Sequence, residues 1–370
     1  MKKSFIFGAA LMLAGAFGLQ SCSQETNAGS AGSPTMDEAT YDAQTLTFKA
    51  FIEKHAVDGI VTLPADAKFT MEEAIELTEP LTITTDAEKP ATIIAQVGFT
   101  TNTNITIENV IIDASNIGNA LFNFTAPTEK VQKLDGTQSN YGWLKNVSIN
   151  GVTIKGLAKS LVNNAGGNVF FEKFTINNSV IEIAKNSNSL FAFANGYAGE
   201  FELTNSTIWS KEGHTGFFFQ AQGRPKDATG STSWAIKNCT LYQIAVGKKM
   251  NNNNSGIKGQ STTTMILTNS ILVNVGSSKG NEINGWLWGQ NSASPVRTYE
   301  NNTYWSVATA EAEAAAVAGW TDNTKTGYDA SETALTTDPG FKDAANGDFT
   351  PTGADQLAKQ TGDPRWFAVQ

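Results

Sequence analysis

The chain has 370 residues, and 35 Asp+Glu against 26 Lys+Arg give a formal net charge of −9. With 16 % charged and 40 % hydrophobic residues it is too apolar for a disordered chain, and it has no basic excess with which to grip nucleic acid. Asn and Gly are abundant at 33 each, while three Arg and two His leave few side chains for catalysis by those groups. Two cysteines, Cys22 and Cys239, cannot make a disulfide framework, so stability has to come from packing and backbone hydrogen bonds.

Met1-Lys2-Lys3 is followed by an apolar run over residues 5–18 that is short for a bilayer span, the pattern of a secretory signal peptide over residues 1–21. The run ends in Leu19-Gln20-Ser21-Cys22, which resembles a bacterial lipobox, although Gln20 stands where that motif usually has a small residue. The resemblance implies a diacylglyceryl anchor on Cys22 and a membrane attachment through it. Residues 22–40, rich in Ser, Gly, Ala and Thr, are expected to form a flexible tether. Ser23 replaces the Asp that retains many enterobacterial lipoproteins at the inner membrane, and Glu25 weakly resembles the acidic surface-export signal of Bacteroidetes lipoproteins. The expected location is therefore the cell outer membrane, lipid-anchored and surface-exposed.

Leu46, Phe48, Phe51, Ile52 and His55 lie at roughly helical spacing and predict one capping helix over residues 45–57. Short apolar segments at 60–64, 80–84 and 92–95 then read as strands. From residue 107 onward one pattern recurs: apolar, any, Asn, small, any, apolar. Its copies include Ile107-Glu108-Asn109-Val110-Ile111-Ile112, Ile176-Asn177-Asn178-Ser179-Val180-Ile181 and Ile236-Lys237-Asn238-Cys239-Thr240-Leu241, with further copies at Asn205, Asn269 and Asn301. In the copy at 149–154 Gly151 takes the Asn slot, and successive slots lie 42, 27, 27, 33, 31 and 32 residues apart.

A sharp corner between two short strands explains the residue types. It needs a left-handed backbone, which Gly adopts freely and Asn tolerates better than other residues. If each copy is one coil of a solenoid, Ile107, Ile149, Ile176, Leu203, Ile236 and Leu267 form one inward stack. Asn109, Asn178, Asn205, Asn238, Asn269 and Asn301 would then lie about 4.8 Å apart as an amide ladder. Cys239, in register with Ser206 and Ser270, reads as a small inward residue. The pattern resembles the right-handed parallel β-helix of the pectin-lyase-like superfamily over residues 59–304. The extra residues at 125–141, 213–233 and 247–263 would be loops, where binding usually resides.

The expected organisation is an all-β solenoid over residues 41–305 including its N-terminal cap, closed by a C-terminal capping region at 306–370. Within the latter, residues 310–318 read as a short helix. The endings Asp338-Pro339-Gly340-Phe341, Gly347-Asp348-Phe349-Thr350-Pro351 and Gly362-Asp363-Pro364-Arg365-Trp366 resemble those of Bacteroidetes β-helix lipoproteins grouped as domains of unknown function. Many of those are encoded among polysaccharide-utilisation genes, which implies outer-membrane glycan-uptake proteins as partners.

Parallel β-helices often degrade acidic polysaccharides, so catalysis has to be weighed. The carboxylate pairs and the Asn-Thr-Asp, Gly-His-Gly and Arg-Ile-Lys motifs of polygalacturonase-like hydrolases are absent, Gly213-His214-Thr215-Gly216 being a faint echo. A lyase would need a base together with calcium or Arg to neutralise a uronate. Arg224 and Lys226 on an insertion, and His214, are the candidates, although solvated surface charge is the simpler reading of the first two and a turn before a buried strand that of His214. No His, Cys or acidic cluster has metal-site spacing, and no cofactor is expected.

Trp286 and Trp288 alternate onto one side of a strand and could present a platform for pyranose rings, or else fill the interior. Trp143 and Tyr197 are further glycan-binding candidates, and the run 251–254 of four Asn reads as a loop. The leading expectation is a protein that binds or presents polysaccharide without cleaving it. A lyase acting on an acidic glycan and a structural or adhesive surface protein are the alternatives.

Overall fold

The computed structural model describes residues 36–133, 135–193, 195–221, 232–248, 250–253, 263–276, 278–279, 282–283, 296–307, 320–324 and 327–367. Cys22, Arg224, Lys226, Trp286, Trp288 and the helix expected at 310–318 lie outside them. Among the described residues no helix is long and apolar enough to cross a membrane.

The chain from Asp37 onward is one compact unit. It opens with two helices where the sequence pattern predicts one. Helix α1, Glu38–Thr45, is capped by Asp37, whose carboxylate accepts from Thr40 N at 2.9 Å, and so begins inside the stretch read as tether. Helix α2, Phe48–His55, is capped by the Thr47 hydroxyl on Ala50 N at 3.2 Å. Leu46 between them is extended (φ −95°, ψ 152°), because a Thr at N-cap favours starting a new helix over continuing the old one. Phe48 and Phe51 of α2 pack on Phe69, covering the first coil, and His55 bonds Asp42 of α1 at 2.7 Å.

Nine coils follow among the described residues, forming the right-handed parallel β-helix expected from the repeat. Each contributes one strand to a first sheet, running from Ile60–Thr62 to Val296–Glu300, and one to a second, from Lys68–Met71 to Thr303–Trp305. A third sheet holds seven described strands, from Ile75–Leu77 to Asn251–Asn253, so the first three residues of the Asn run read as a loop pair as a strand with Phe219–Ala221. The inward stack is in register throughout: Ile107 faces Ile149, then Ile176, Leu203, Ile236 and Leu267, all at most 1 % exposed. Across from it the third sheet packs Phe99, Phe122, Phe191 and Phe219 into the same core.

All seven corner residues are left-handed: Gly151 at φ 66°, and the six Asn between 49° and 58°. At Gly151 a Cβ would also lie 2.4 Å from Asn109 Oδ1, so the one Gly corner is fixed by space as well as by φ. The corner amides form less of a ladder than their spacing implied. Asn238 Nδ2 donates to Asn205 Oδ1 at 3.1 Å, but Asn205 donates to Asn177, one residue off the column, and Asn177 donates to Asn150.

The continuous polar column is its neighbour: Ser179, Ser206, Cys239, Ser270 and Asn302, each just after a corner and fully buried. Val152 N donates to Ser179 Oγ, Ser179 N to Ser206 Oγ, Cys239 N to Ser270 Oγ and Ser270 N to Asn302 Oδ1, all at 3.0–3.1 Å. Inside a corner the strand ladder lapses, and these side chains satisfy backbone N–H groups that would otherwise be buried without partners.

The C-terminal region is only partly an end cap. Trp320 stacks on Tyr304 with ring centroids 5.1 Å apart, and Leu335 bridges Thr303, closing the last coil. Residues 338–366 instead lie along the outer face of the second sheet. Thr361 meets Thr303, Gly362 N donates to Asn269 O, Asp363 N donates to Thr240 Oγ1, and Thr207 Oγ1 donates to Asp363 Oδ2. This strap crosses four coils, and Phe349 at its centre packs against Trp209, Tyr242, Phe341 and Trp366.

Candidate functional site

In three consecutive coils the first-sheet strands are much longer than the four residues typical of the early coils: Gln138–Asn150, Val169–Asn177 and Gly196–Thr204. Their extra N-terminal residues carry an aromatic row. Trp143 is in register with Phe170, and Phe170 with Tyr197, while Leu144, Phe171 and Ala198 beside them point into the core. Side-chain alternation therefore directs the row outward. Phe170 and Tyr197 lie 4.6 Å apart between centroids, and Tyr141 meets Tyr197 edge-on at 5.4 Å.

A hairpin lies over the start of the row: Lys130–Gln132 pairs antiparallel with the beginning of the long strand. Gly142 makes this approach possible, since a Cβ there would sit 2.5 Å from the Pro127 ring. Hairpin and row border a cleft of about 430 Å³, floored by Thr78, Pro80, Asn102, Thr103 and Asn104 from the preceding corners and walled by Glu129, Trp143 and Lys145. The Trp143 indole N–H donates to Glu172 Oε2 at 2.8 Å, and the Lys145 ammonium lies 4.9 Å from its ring centroid and 3.4 Å from Glu129. The ring is thus held in one orientation before any ligand arrives, which lowers the ordering cost of binding.

The structure brings Trp143 and Tyr197 together but gives them different positions. Trp143 is half-buried at the cleft wall; Tyr197 is 2 % exposed, packed against Phe170 and Tyr141, so it is not itself an exposed sugar contact. His214 is no catalytic base here. It is buried, its Nδ1 accepts from Ala245 N at 3.4 Å and its Nε2 donates to Asn188 O at 2.8 Å, which commits both nitrogens and keeps the ring neutral. Burial pushes its pKa below the usual imidazole value. Burial likewise pushes the Cys239 thiol far up, so it is inert.

Among the described residues no three His, Cys, Asp or Glu side chains are gathered where they could hold a metal ion. Tyr141, Phe170, Lys145, Glu129 and Glu172 are site residues that sequence reasoning missed. The signal for the row was present: Trp143, Phe170 and Tyr197 are 27 residues apart, each eight residues before a corner at 151, 178 and 205.

Two family profiles match the chain, both described as domains of unknown function: DUF4957 over residues 67–211 and DUF5123 over residues 234–366. The first span contains the cleft, and the second contains the last three coils with the strap. No curated protein matches. A solved structure of a mutant alginate lyase of the PL6 family is similar at 15 % identity and a TM-score of 0.39, covering 68 % of this chain and 36 % of that one. This chain thus spans about a third of that protein's length.

Proposed function

We propose that this protein binds polysaccharide without cleaving it, using the aromatic row and cleft of the first sheet. The observation that carries the reading is the row itself: Trp143 and Phe170 on adjacent rungs, backed by Tyr197, beside a cleft rimmed by Glu129, Lys145 and Asn104. Pyranose rings present C–H faces that pack on aromatic rings and hydroxyls that bond carboxylates, amides and ammonium groups. A single ring contact contributes only about 1 kcal/mol, so affinity depends on repetition along a polymer. Rungs about 4.8 Å apart supply that repetition in a rigid frame.

The lipobox-like Leu19-Gln20-Ser21-Cys22 supports a wider setting: a lipid-anchored protein at the outer-membrane surface that presents glycan to outer-membrane uptake proteins. The test uses a soluble form beginning at Ser23, run through native gels containing single polysaccharides. Retardation by a glycan is expected, with Trp143→Ala weakening it about tenfold while the circular dichroism spectrum stays unchanged. Retardation that survives Trp143→Ala would move the site elsewhere.

A further inference from the structure

The charges around the row go beyond the choice of polysaccharide as ligand. A polyuronate brings a carboxylate on every sugar and needs a cation to meet it. Two of the three cations at this site already have anionic partners: Lys145 is 3.4 Å from Glu129, and Lys173 is 2.6 Å from Glu200 and 3.5 Å from Glu202. Lys130 donates to the Pro127 carbonyl, and Glu172 holds the Trp143 N–H. Four carboxylates therefore surround three ammonium groups, on a chain whose net charge is −9. A polyanion laid along the row would meet Glu129, Glu172, Glu200 and Glu202, which stand at the solvent-accessible surface, so the like-charge repulsion is strongest at low salt and fades as salt rises. A neutral sugar meets the same groups as hydrogen-bond acceptors for its hydroxyls, and bonds to ionised acceptors are among the stronger ones.

We infer that the cleft, together with the charged strand face beside the aromatic row, selects neutral glycans and excludes polyuronates; this rests on the glycan-binding reading above. The partners of Lys173 make the selection a property of the rungs and not of one residue. Because Lys173 pairs with two glutamates on the next strand, its ammonium is held by carboxylates that a uronate would have to displace.

The test compares matched polymers. Polygalacturonate and alginate are each run beside their carboxyl-reduced, neutral forms, together with mannan, xylan and mixed-linkage glucan, in affinity gels at low and high salt. At low salt at least one neutral polymer is expected to retard the protein about tenfold more than either polyuronate, in a Trp143-dependent way, and the difference should shrink at high salt. The double variant Glu200→Gln, Glu202→Gln should narrow that difference, since it frees Lys173. Trp143-dependent retention by a polyuronate and not by its reduced form would overturn the charge inference and leave the glycan reading standing. Retention by no polymer would overturn the glycan reading and this inference with it.

Discussion

Phe349→Ala should detach the strap from the second sheet. Phe349 is 1 % exposed and lies 5.2–5.8 Å, centroid to centroid, from Phe341, Tyr242, Trp209 and Trp366. Truncating a buried Phe costs about 3–5 kcal/mol through lost transfer energy and the cavity left behind. The cost falls on the strap because a solenoid transmits stability only between neighbours, and among the described residues the strap bonds to the sixth to ninth coils. The assay is native-state hydrogen exchange. Protection of the Gly362 and Asp363 amides, which bond Asn269 O and Thr240 Oγ1, should fall by roughly two to three orders of magnitude. Amides of the early coils, such as Ile93 and Ile107, should keep theirs. Unchanged exchange at 362 and 363 would show that Phe349 does not hold the strap, and uniform loss along the whole chain would refute the neighbour-only transmission.

Three further outcomes are expected. Incubation with alginate or polygalacturonate, with or without calcium, should produce no rise in ultraviolet absorbance from unsaturated ends; a rise removed by Arg224→Ala or Lys226→Ala would make the protein a lyase. Gly151→Ala combines a φ of 66° with a Cβ 2.4 Å from Asn109 Oδ1 and should destabilise the chain by about 2–3 kcal/mol in urea unfolding, whereas Asn269→Gly, where the backbone already accepts φ 49°, should cost less than about 1 kcal/mol. Hydrogen bonding from Lys54, then from His55, holds the Asp42 carboxyl below its ordinary value. With the folded pKa the lower of the two, its contribution is complete above the unfolded value near about 4 and is lost as pH falls through the folded value. Proteolytic nicking between α1 and α2 should therefore rise on acidification from about pH 4 downward, and Lys54→Met should move that onset upward.

Much of the fold was legible because a solenoid is built from local rules repeated. Each corner needs one left-handed residue at a fixed place, so Asn109, Gly151, Asn178, Asn205, Asn238, Asn269 and Asn301 announce the coils, and the apolar residues two before them announce the inward stack. The capping pair α1 and α2 was half legible: the apolar spacing of Phe48, Phe51 and Ile52 marks a helix, but the break at Leu46 depends on Thr47 serving as a cap, which spacing does not encode.

The long-range contacts were not legible. Trp366 Nε1 donates to Thr207 Oγ1 across 159 residues of chain, and no periodicity in a single sequence links two such positions. The same holds for His214, whose neutral, fully bonded ring depends on carbonyl and amide groups from two neighbouring coils. Trp143 stands between the two cases. The successive 27-residue spacing of Trp143, Phe170 and Tyr197 was written in the sequence, yet which ring faces the cleft and which is covered depends on the hairpin that Gly142 admits and on the packing of Tyr141. Local backbone preference determined the coil, because it acts within a few residues. The strap, the cleft and the pairing of its charges were decided by tertiary structure, because they require coils far apart in the chain to be stacked before the groups can meet.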